Sequence, residues 1–379
     1  MKGPEPSLVS VVIPTHNGAR FVGEAIESAL RQTHPAVEVA VVDDGSTDGT
    51  TAVAAGFGER IRYLRQENRG PGAARNVGLR ATQGPYVVFL DHDDRLLPSA
   101  LARQVDVLDA RPEVGIAYCG WRYVDERGGS LPFTGWPRRE GDVLPDLVQG
   151  NLISPSAGLV RRTLVEAVGG FDERLKGGED WDLWLRLSAR GMRWACVDEP
   201  LLEYRVHAAS RSQSGVERQL TNRLALLGRL FADPALPEAV RRLEPRVHHN
   251  VYLRAAIDYT RNGQRDEASR ALLEAVRRRP AVLTEVRSLH EFCRRLLPPA
   301  YRHQAFVVEE AERLTRLLRQ ALRDLFARPD VDPAVARLRW RAHLTAIRVT
   351  ARLVRKRLLG RAVGGRGGPL GHAVAVAGR

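Results

Sequence analysis

The chain has 379 residues, of which 44% are hydrophobic and 27% charged, and 58 Lys and Arg face 45 Asp and Glu. This composition excludes wholesale disorder, and the length predicts two or three domains. The net charge of +13 is unevenly spread, because residues 1–214 hold 25 basic and 29 acidic side chains and residues 215–379 hold 33 and 16. We therefore expect a slightly acidic front domain and an arginine-rich second domain.

Short apolar runs alternate with helical patterns in the first 120 residues. The predicted strands are residues 8–13, 37–42, 61–64, 86–90 and 114–119, and the predicted helices are 20–32, 47–56, 71–82 and 99–110. Strands that alternate with helices in this way indicate an α/β fold with a mixed, mostly parallel sheet and helices on both faces.

The pattern changes further along the chain. A strand near 156–160 and an amphipathic helix over 181–190 are predicted, and strand signals disappear after Gly215. We divide the chain into an α/β domain (1–214), an arginine-rich, all-helical extension (215–360) and a glycine-rich flexible tail (361–379). Residues 249–282 resemble one tetratricopeptide-like helical hairpin, and a generic helical hairpin is the alternative because no neighbouring repeat shares the period.

Cysteine content and hydropathy indicate the cellular location. The three cysteines, Cys119, Cys196 and Cys293, are odd in number and far apart, and none forms a C-x-x-C pair, so neither a disulfide framework nor a C-x-x-C site is expected. No apolar run approaches the roughly 18–20 residues needed to cross a bilayer, and the N-terminus lacks the pattern of a secretory signal. We expect a cytoplasmic protein, or one bound peripherally at the inner face of the membrane.

Acidic residues follow two of the predicted strands. Asp43 and Asp44 end the second strand, and Asp91, Asp93 and Asp94 end the fourth. The carboxyl ends of parallel strands meet at one edge of a sheet, so these like charges need a cation or hydrogen-bond donors to compensate them. Mg²⁺ or Mn²⁺ on residues 91–94 is one interpretation, and helix capping by Asp93 or Asp94 is the other.

A second acidic group opens the helix predicted near residue 181. Glu179 and Asp180 follow two glycines, Gly177 and Gly178, at a helix N-terminus, whose dipole favours carboxylates. The pair is interpreted either as a general base carried by a mobile loop or as ordinary helix-end charge. Neither a dinucleotide-binding fingerprint nor a phosphate-binding P-loop is present. The loop after the first strand reads PTHNG, and the later segment GPGAAR has Arg75 where the dinucleotide fingerprint has its third glycine.

Six segments in order between residues 8 and 212 carry a family resemblance. They read VVIPTHNGARFVGEAIESALRQT, VVDDGSTDGT, NRGPGAARNVGL, YVVFLDHDD, GGFDE and GGEDWDLWLRL. Together they resemble family 2 glycosyltransferases of the GT-A fold. The resemblance implies that residues 1–214 form a GT-A-like catalytic domain that inverts the anomeric carbon. It also implies a nucleotide-diphospho-sugar donor, with a UDP-sugar as the first candidate, and a divalent Mn²⁺ or Mg²⁺ cofactor.

The resemblance also implies roles for individual residues. Pro14, Thr15 and Asn17 would contact the nucleotide, Asp43 would face the base with Asp44 beside it, and Arg75 would lie near the nucleotide. Asp91 and Asp93 match the D-x-D motif that holds metal and ribose, and in some members the Asp94 position supplies the metal bond. Asp180 matches the catalytic base, with Glu179 beside it. Residues 204–207, followed by 210–212, resemble a motif that closes over the diphosphate, in which Arg205 or His207 adds a contact and His207 is a further candidate metal ligand.

One family feature is absent from the sequence. Processive membrane synthases carry Q-x-x-R-W after the base, whereas the R-W here, Arg339-Trp340, lies far beyond Asp180 with Ala336 in place of the glutamine. We expect transfer of single sugars or short chains to a saccharide or lipid-linked acceptor, in bacterial surface polysaccharide or glycolipid synthesis. The alternatives are a sugar-phosphate nucleotidyltransferase and a non-catalytic scaffold of the same fold.

The basic extension has its own interpretations. Residues 337–361 alternate apolar side chains with arginines, which is typical of a basic interfacial helix on anionic lipid. A solvated arginine-rich bundle is the alternative. The absence of an aromatic stacking platform or a recognised motif argues against nucleic acid as the partner.

Overall fold

The structure is a computed structural model that describes residues 6–175, 177–207, 215–285, 308–339, 341–346 and 349. Contacts divide the chain into two compact units, residues 1–251 and 252–379. Each unit is considered by itself.

The first half of the sheet is parallel. Strands β1 (Val9–Thr15), β2 (Val37–Asp44), β3 (Arg62–Gln66) and β4 (Tyr86–Phe89) lie in the order β3-β2-β1-β4. They alternate with α1 (Val22–Leu30), α2 (Thr50–Ala55) and α3 (Pro71–Ala81). The predicted α/β alternation is confirmed here, and β2 continues to Asp44, so the acidic pair ends the strand itself.

The second half of the sheet is mixed. Its elements are β5 (Arg95–Leu96), α4 (Ala100–Ala110), β6 (Val114–Val124), β7 (Ser130–Thr134), α5 (Leu144–Leu147), β8 (Gly158–Arg161), α6 (Arg162–Ala167), α7 (Glu179–Ala189) and β9 (Arg193–Arg205). The sheet order is β3-β2-β1-β4-β8-β6-β9-β5, with β7 on β6. Only β6 and β9 pair in parallel in this half, so within the described residues the sheet is parallel mainly over its first four strands.

The 13-residue strand β9 is absent from the sequence-based prediction. Asp198, Glu199 and Pro200 interrupt its apolar pattern, and proline has no N–H to donate to a ladder. The structure accommodates the interruption with register shifts on either side of Gly120, which pairs with Pro200. Because β9 continues to Arg205, it carries that residue to the carboxyl edge of the sheet.

Close packing of α3 on β1 positions the first part of the site. Strands β1 and β4 are buried along their whole length, which suits a strand covered on both faces. A Cβ on Gly78 of α3 would lie 2.2 Å from Val12 Cγ1. The helix therefore approaches the sheet at a distance that only glycine allows, and this brings Arg75 in α3 to the sheet edge.

Helices complete the first unit. Helices α8 (Val216–Phe231) and α9 (Glu238–Arg241) and the start of α10 (Glu244–Arg261) follow β9. Leu226, Leu227, Phe231 and Val247 are buried in the same apolar core as the strands. The first compact unit therefore ends at residue 251, beyond the boundary at 214 drawn from the sequence, because α8 packs on α7.

The described part of the second unit is helical, as expected from its sequence. It contains the rest of α10, α11 (Arg265–Arg278), α12 (Val308–Ala327) and α13 (Pro333–Ala336). The Arg278 guanidinium lies 4.4 Å from the Tyr252 ring, so α10 and α11 run antiparallel, which suits both a tetratricopeptide-like and a generic hairpin. No helix in the described ranges is long and apolar enough to cross a membrane. The predicted tail at 361–379 and residues 350–361 of the predicted interfacial helix lie outside these ranges.

The α3–β1 contact predicts opposite effects for two glycine substitutions. Gly78→Ala should lower the free energy of unfolding by about 1–3 kcal/mol, because the added methyl group overlaps Val12. Gly228→Ala in α8 has no atom within 4 Å of the new Cβ and should raise it by about 0.5–1 kcal/mol. Urea unfolding of the two variants checks this, and equal effects from both would contradict the packing described.

Candidate active site

The loop after β1 is held against the ends of β2 and β4. Asn17 has a left-handed φ of +50°, its N–H donates to Ser46 Oγ (2.9 Å), and its Oδ1 accepts from the Thr47 N–H (2.8 Å). A Cβ on Gly18 would lie 2.4 Å from Thr15 Oγ1 and 2.6 Å from His92 Cδ2. The loops that follow β1, β2 and β4 therefore meet at one edge of the sheet, as the sequence predicts.

Thr15 and Pro14 end β1 at this edge. Pro14 is buried and pairs in register with Val42, and Thr15 pairs with Asp43. Thr15 Oγ1 is buried and has no hydrogen-bond partner among the described residues. The end of β1 thus presents a polar atom that the protein itself does not satisfy.

Asp43 is buried and bonded through both carboxylate oxygens. Its Oδ1 accepts from the Ser46 N–H (2.8 Å) and its Oδ2 from the Tyr63 hydroxyl (2.7 Å). Burial acts to raise the pKa of Asp43, but the hydrogen bonds from Ser46, Tyr63 and Thr51 outweigh it and hold that pKa below its ordinary value. Asp43 therefore stays ionised beside Thr15.

Asp44 is an anchor for the loop that leads into α3. Its Oδ1 accepts from the Arg69 N–H (2.8 Å) and from Gln66 Nε2 (2.7 Å), and its Oδ2 accepts from the Gly70 N–H (2.7 Å). The Asp44 charge is thus compensated by backbone amides and is directed away from the loop after β1.

Asp94 is directed into the protein. Its Oδ2 accepts from the Ser156 hydroxyl (2.7 Å) and its Oδ1 from the Arg205 N–H (3.1 Å). Burial, reinforced by the charges of Asp93 and Asp91, raises the pKa of Asp94 well above its ordinary value. The Ser156 hydroxyl also accepts from the Asp91 N–H (3.0 Å), so it joins two residues of the acidic turn.

Asp93 and His207 form a pair at the surface of the site. Asp93 Oδ2 lies 2.9 Å from His207 Nε2, and the His207 ring packs on Phe21 with the ring centroids 5.1 Å apart. Burial acts to raise the pKa of Asp93, but the bond to His207 and the nearby His92 bring it below its ordinary value. Asp93 is therefore anionic.

The Asp93–His207 contact is a hydrogen bond, and its length is also that between two ligands of one divalent cation. Two adjacent ligands of an octahedral ion with bonds of about 2.0–2.1 Å are separated by about 3 Å, which matches this pair. Among the described residues, no three His, Cys, Asp or Glu side chains converge as a metal site. An ion at this pair would take its other ligands from water and from a substrate phosphate, as Mg²⁺ usually does.

Arg205 is buried inside the loop cluster, with 1% of its side chain exposed. Its Nη2 contacts Glu24 Oε2 (2.7 Å), its Nε donates to the Asp93 carbonyl (2.9 Å), and its Nη1 donates to the Glu126 carbonyl (3.1 Å). The diphosphate contact implied for Arg205 does not fit this arrangement, because the guanidinium is used to order the loops. Residues 210–212 of the same motif lie outside the described part of the chain.

Asp180 lies in the first turn of α7. Gly178 enters the helix with φ +80°, and Glu179 beside Asp180 is buried. Asp180 Oδ1 accepts from the Trp181 N–H (2.8 Å) and Oδ2 from Asn151 Nδ2 (2.7 Å). Burial and the charge of Glu179 raise the pKa of Asp180 to about 6, against the lowering effect of Arg75.

Arg75 connects the acidic turn to α7. Its Nη2 lies 2.6 Å from Asp91 Oδ1, and its side chain is almost fully buried. Burial acts to lower the pKa of Arg75, but the charges of Asp91, Glu179 and Asp180 outweigh it and raise that pKa. One buried cation thus faces carboxylates from both groups that the sequence singles out.

Several residues of the site are not marked by any sequence motif. Asn151 and Ser156 lie on the irregular segment before β8, Glu24 lies on α1, and Tyr63 lies on β3. A single polar residue on a loop or an element surface carries no periodicity or spacing signal, so only the three-dimensional contacts reveal these four.

Known proteins resemble this chain in sequence. Residues 10–168 match the profile of the family described as Glycosyl transferase family 2. An uncharacterized glycosyltransferase of Rickettsia prowazekii is 34% identical over 219 residues, which cover 56% of this chain and 68% of that protein. The succinoglycan biosynthesis protein ExoO of Rhizobium meliloti is 35% identical over 223 residues, covering 55% and 63% respectively.

Solved structures resemble the chain in fold. Residues 1–349 of TarS from S. aureus, in complex with UDP-GlcNAc, superpose with a TM-score of 0.53 at 18% identity, over 93% of this chain and 92% of that one. The mannosyltransferase PcManGT from Pyrobaculum calidifontis, in complex with GDP-Man and Mn²⁺, gives a TM-score of 0.51 at 19% identity, over 91% and 88%. The GT-A fold expected from the sequence is confirmed.

Proposed function

Since the chain belongs to glycosyltransferase family 2 and is a glycosyltransferase, we propose that it transfers a sugar from a nucleotide diphosphate to an acceptor hydroxyl with inversion. The observation that carries this proposal is the placement of Asp180, whose pKa is raised to about 6. A carboxylate with that pKa is ionised at neutral pH and is still basic enough to take a proton.

Asp180 is the general base in this reaction. The acceptor hydroxyl gives its proton to an Asp180 carboxylate oxygen while the acceptor oxygen forms a bond to the anomeric carbon. The bond from that carbon to the diphosphate oxygen breaks, and its electron pair leaves with the diphosphate. Asn151 and the Trp181 amide fix the carboxylate orientation, and the single displacement inverts the anomeric centre.

The donor nucleotide is assigned to the ends of β1 and β2. Thr15 supplies a buried hydroxyl that no described residue hydrogen-bonds, Asn17 shapes the loop, and Asp43 stays ionised next to Thr15. The fold shared with a structure that holds UDP-GlcNAc supports a UDP-sugar as the first donor to test, and the one that holds GDP-Man makes GDP-mannose the second.

Asp93 and His207 would hold the divalent metal, Mn²⁺ or Mg²⁺. When bound there, such an ion supplies charge neutralisation for the leaving diphosphate. Asp91 is paired with Arg75, and Asp94 is buried and bonded to Ser156, so these two residues would order the turn that carries Asp93 without binding the ion themselves. Arg75 also lowers the pKa of Asp180, which keeps the base ionised.

Similarity to one relative and the absence of one motif support our proposal for the acceptor and the pathway. The relative ExoO is named for succinoglycan biosynthesis, which supports a role in surface polysaccharide or glycolipid synthesis. The absence of Q-x-x-R-W after the base favours transfer of single sugars. A nucleotidyltransferase would need a glycine-rich, basic loop after β1, where this chain has PTHNG.

Exposed arginines of the second unit support a membrane partner. They are Arg316, Arg319 and Arg323 of α12 and Arg337, Arg339 and Arg341 after α13. Leu344, three residues after Arg341, is the large apolar side chain most exposed among the described residues. Burial and the charges of Arg339 and Arg323 lower the pKa of His343, so α12 and the segment after α13 bring positive charge together. This surface is complementary to anionic phospholipid headgroups.

Replacing the base tests the proposed reaction. Asp180→Asn should lower nucleoside diphosphate release by about a hundredfold or more, because the amide cannot accept the proton. The probes are UDP-GlcNAc, UDP-glucose and GDP-mannose with Mn²⁺, and in the wild type the rate should rise with pH with its midpoint near 6. Asp198→Asn is the matched control, since Asp198 is exposed and paired with Arg138. Wild-type turnover in Asp180→Asn would contradict the assignment.

Vesicle binding tests the membrane partner. The full chain should sediment with vesicles that contain phosphatidylglycerol at low salt and be released at about 0.5 M NaCl. Changing Arg319, Arg323 and Arg339 to Gln should weaken this binding by about a hundredfold. Changing Arg103, Arg111 and Arg242 to Gln, with the same loss of charge, should change it little. No binding of the wild type at low salt would refute the proposal.

A further inference from the structure

Arg229 of helix α8 contacts helix α7, which carries the proposed base, and the segment before it. Arg229 Nη1 lies 3.0 Å from Asp172 Oδ2, and Arg229 Nη2 lies 3.1 Å from Asp182 Oδ1. Asp172 precedes the glycine turn that leads into α7, and Asp182 lies in the first turn of that helix. Arg229 therefore bridges two carboxylates that stand on either side of Asp180 in the chain.

Both carboxylates are tied to the surrounding structure. Hydrogen bonds from Arg174, together with the charge of Arg229, lower the pKa of Asp172 to about 2. Asp182 has only 5% of its side chain exposed and also contacts Arg186 Nε (2.7 Å) through Oδ2. A buried carboxylate of this kind is stable only with its charged partners in place. Loss of Arg229 should therefore destabilise the first turn of α7.

The turn before α7 contains two glycines in left-handed conformations. Gly177 and Gly178 have φ values of +134° and +80°, and a pair of glycines leaves the backbone free to adopt other conformations. Asn222 of α8 donates to the Gly177 carbonyl at 3.4 Å, while Leu226 and Leu227 of the same helix are buried in the core. Because α8 is anchored in the core, its contacts hold the glycine turn in place.

We propose that Arg229 is a positioning residue, which holds the first turn of α7 so that Asp180 meets the acceptor hydroxyl. The proposal rests on the function of Asp180 as the base. Arg229 acts through Asp172 and Asp182. The donor side of the site is built from the ends of β1, β2 and β4, whereas Arg229 contacts Asp172 and Asp182, so its loss should lower kcat more than donor affinity.

Two measurements on Arg229→Gln test this role. Amide hydrogen exchange in residues 177–184 should become about tenfold faster, which requires no substrate. With the nucleotide sugar that the wild type turns over, kcat should fall about tenfold to a hundredfold, because a small displacement of a catalytic group has effects of this size. The KM for that donor should stay within about twofold. Arg229→Lys, which keeps the charge, should restore part of both losses.

The control variant is Arg242→Gln, which removes an exposed arginine paired with Glu238 and should change neither measurement. Wild-type exchange in Arg229→Gln, or faster exchange with an unchanged kcat, would overturn the proposal. An equal fall in Arg242→Gln would also overturn it. If Asp180→Asn turns over normally, the base assignment itself fails. If Asp180→Asn is inactive and Arg229→Gln is normal, only the role of Arg229 fails.

Discussion

Carboxylates crowd one edge of the sheet, and each must be compensated for the chain to fold there. They belong to Asp43, Asp44, Asp91, Asp93, Asp94 and Asp180. The solutions differ: hydroxyl and amide donors for Asp43, backbone amides for Asp44, burial with a raised pKa for Asp94, and the Arg75 guanidinium for Asp91. The loop that leads into α3 and the turn after β4 are ordered by these pairings, so compensation of charge and local structure depend on the same contacts.

Two acidic residues at this edge remain as the proposed metal ligand and the proposed base. Asp93 is anionic and is paired with a histidine at the spacing of two metal ligands, and Asp180 has a pKa near neutrality. Arg75 contacts Asp91 and lies near the charges of Glu179 and Asp180, so it connects the proposed diphosphate side of the site to the proposed base side. The net negative charge of residues 1–214 is therefore compatible with binding a diphosphate, because the proposed metal ion would reverse the local sign at Asp93.

Sequence reasoning predicted what depends on local pattern and motif order. The strands up to β4, the helices between them and the acidic ends of β2 and β4 were predicted because buried strands and amphipathic helices have distinct periods. Strand β9 was missed because a proline and two acids break its pattern. The roles of Arg205, Asn151 and Arg229 depend on contacts more than 25 residues apart in the chain, which no spacing rule encodes. Packing contacts likewise extend the first compact unit to residue 251, whereas the sequence signal is the loss of strand patterns after Gly215.

We infer that the compensation of the neighbouring carboxylates leaves Asp93 to bind a metal-bridged nucleotide. Calorimetric titration of UDP and GDP into the protein, with and without Mn²⁺, tests it directly in the wild type and in Asp93→Asn. We predict that Mn²⁺ raises the affinity for one of these nucleotides by about tenfold or more in the wild type and has no such effect in Asp93→Asn. Nucleotide affinity that does not depend on Mn²⁺, or that depends on it equally in Asp93→Asn, would contradict the account.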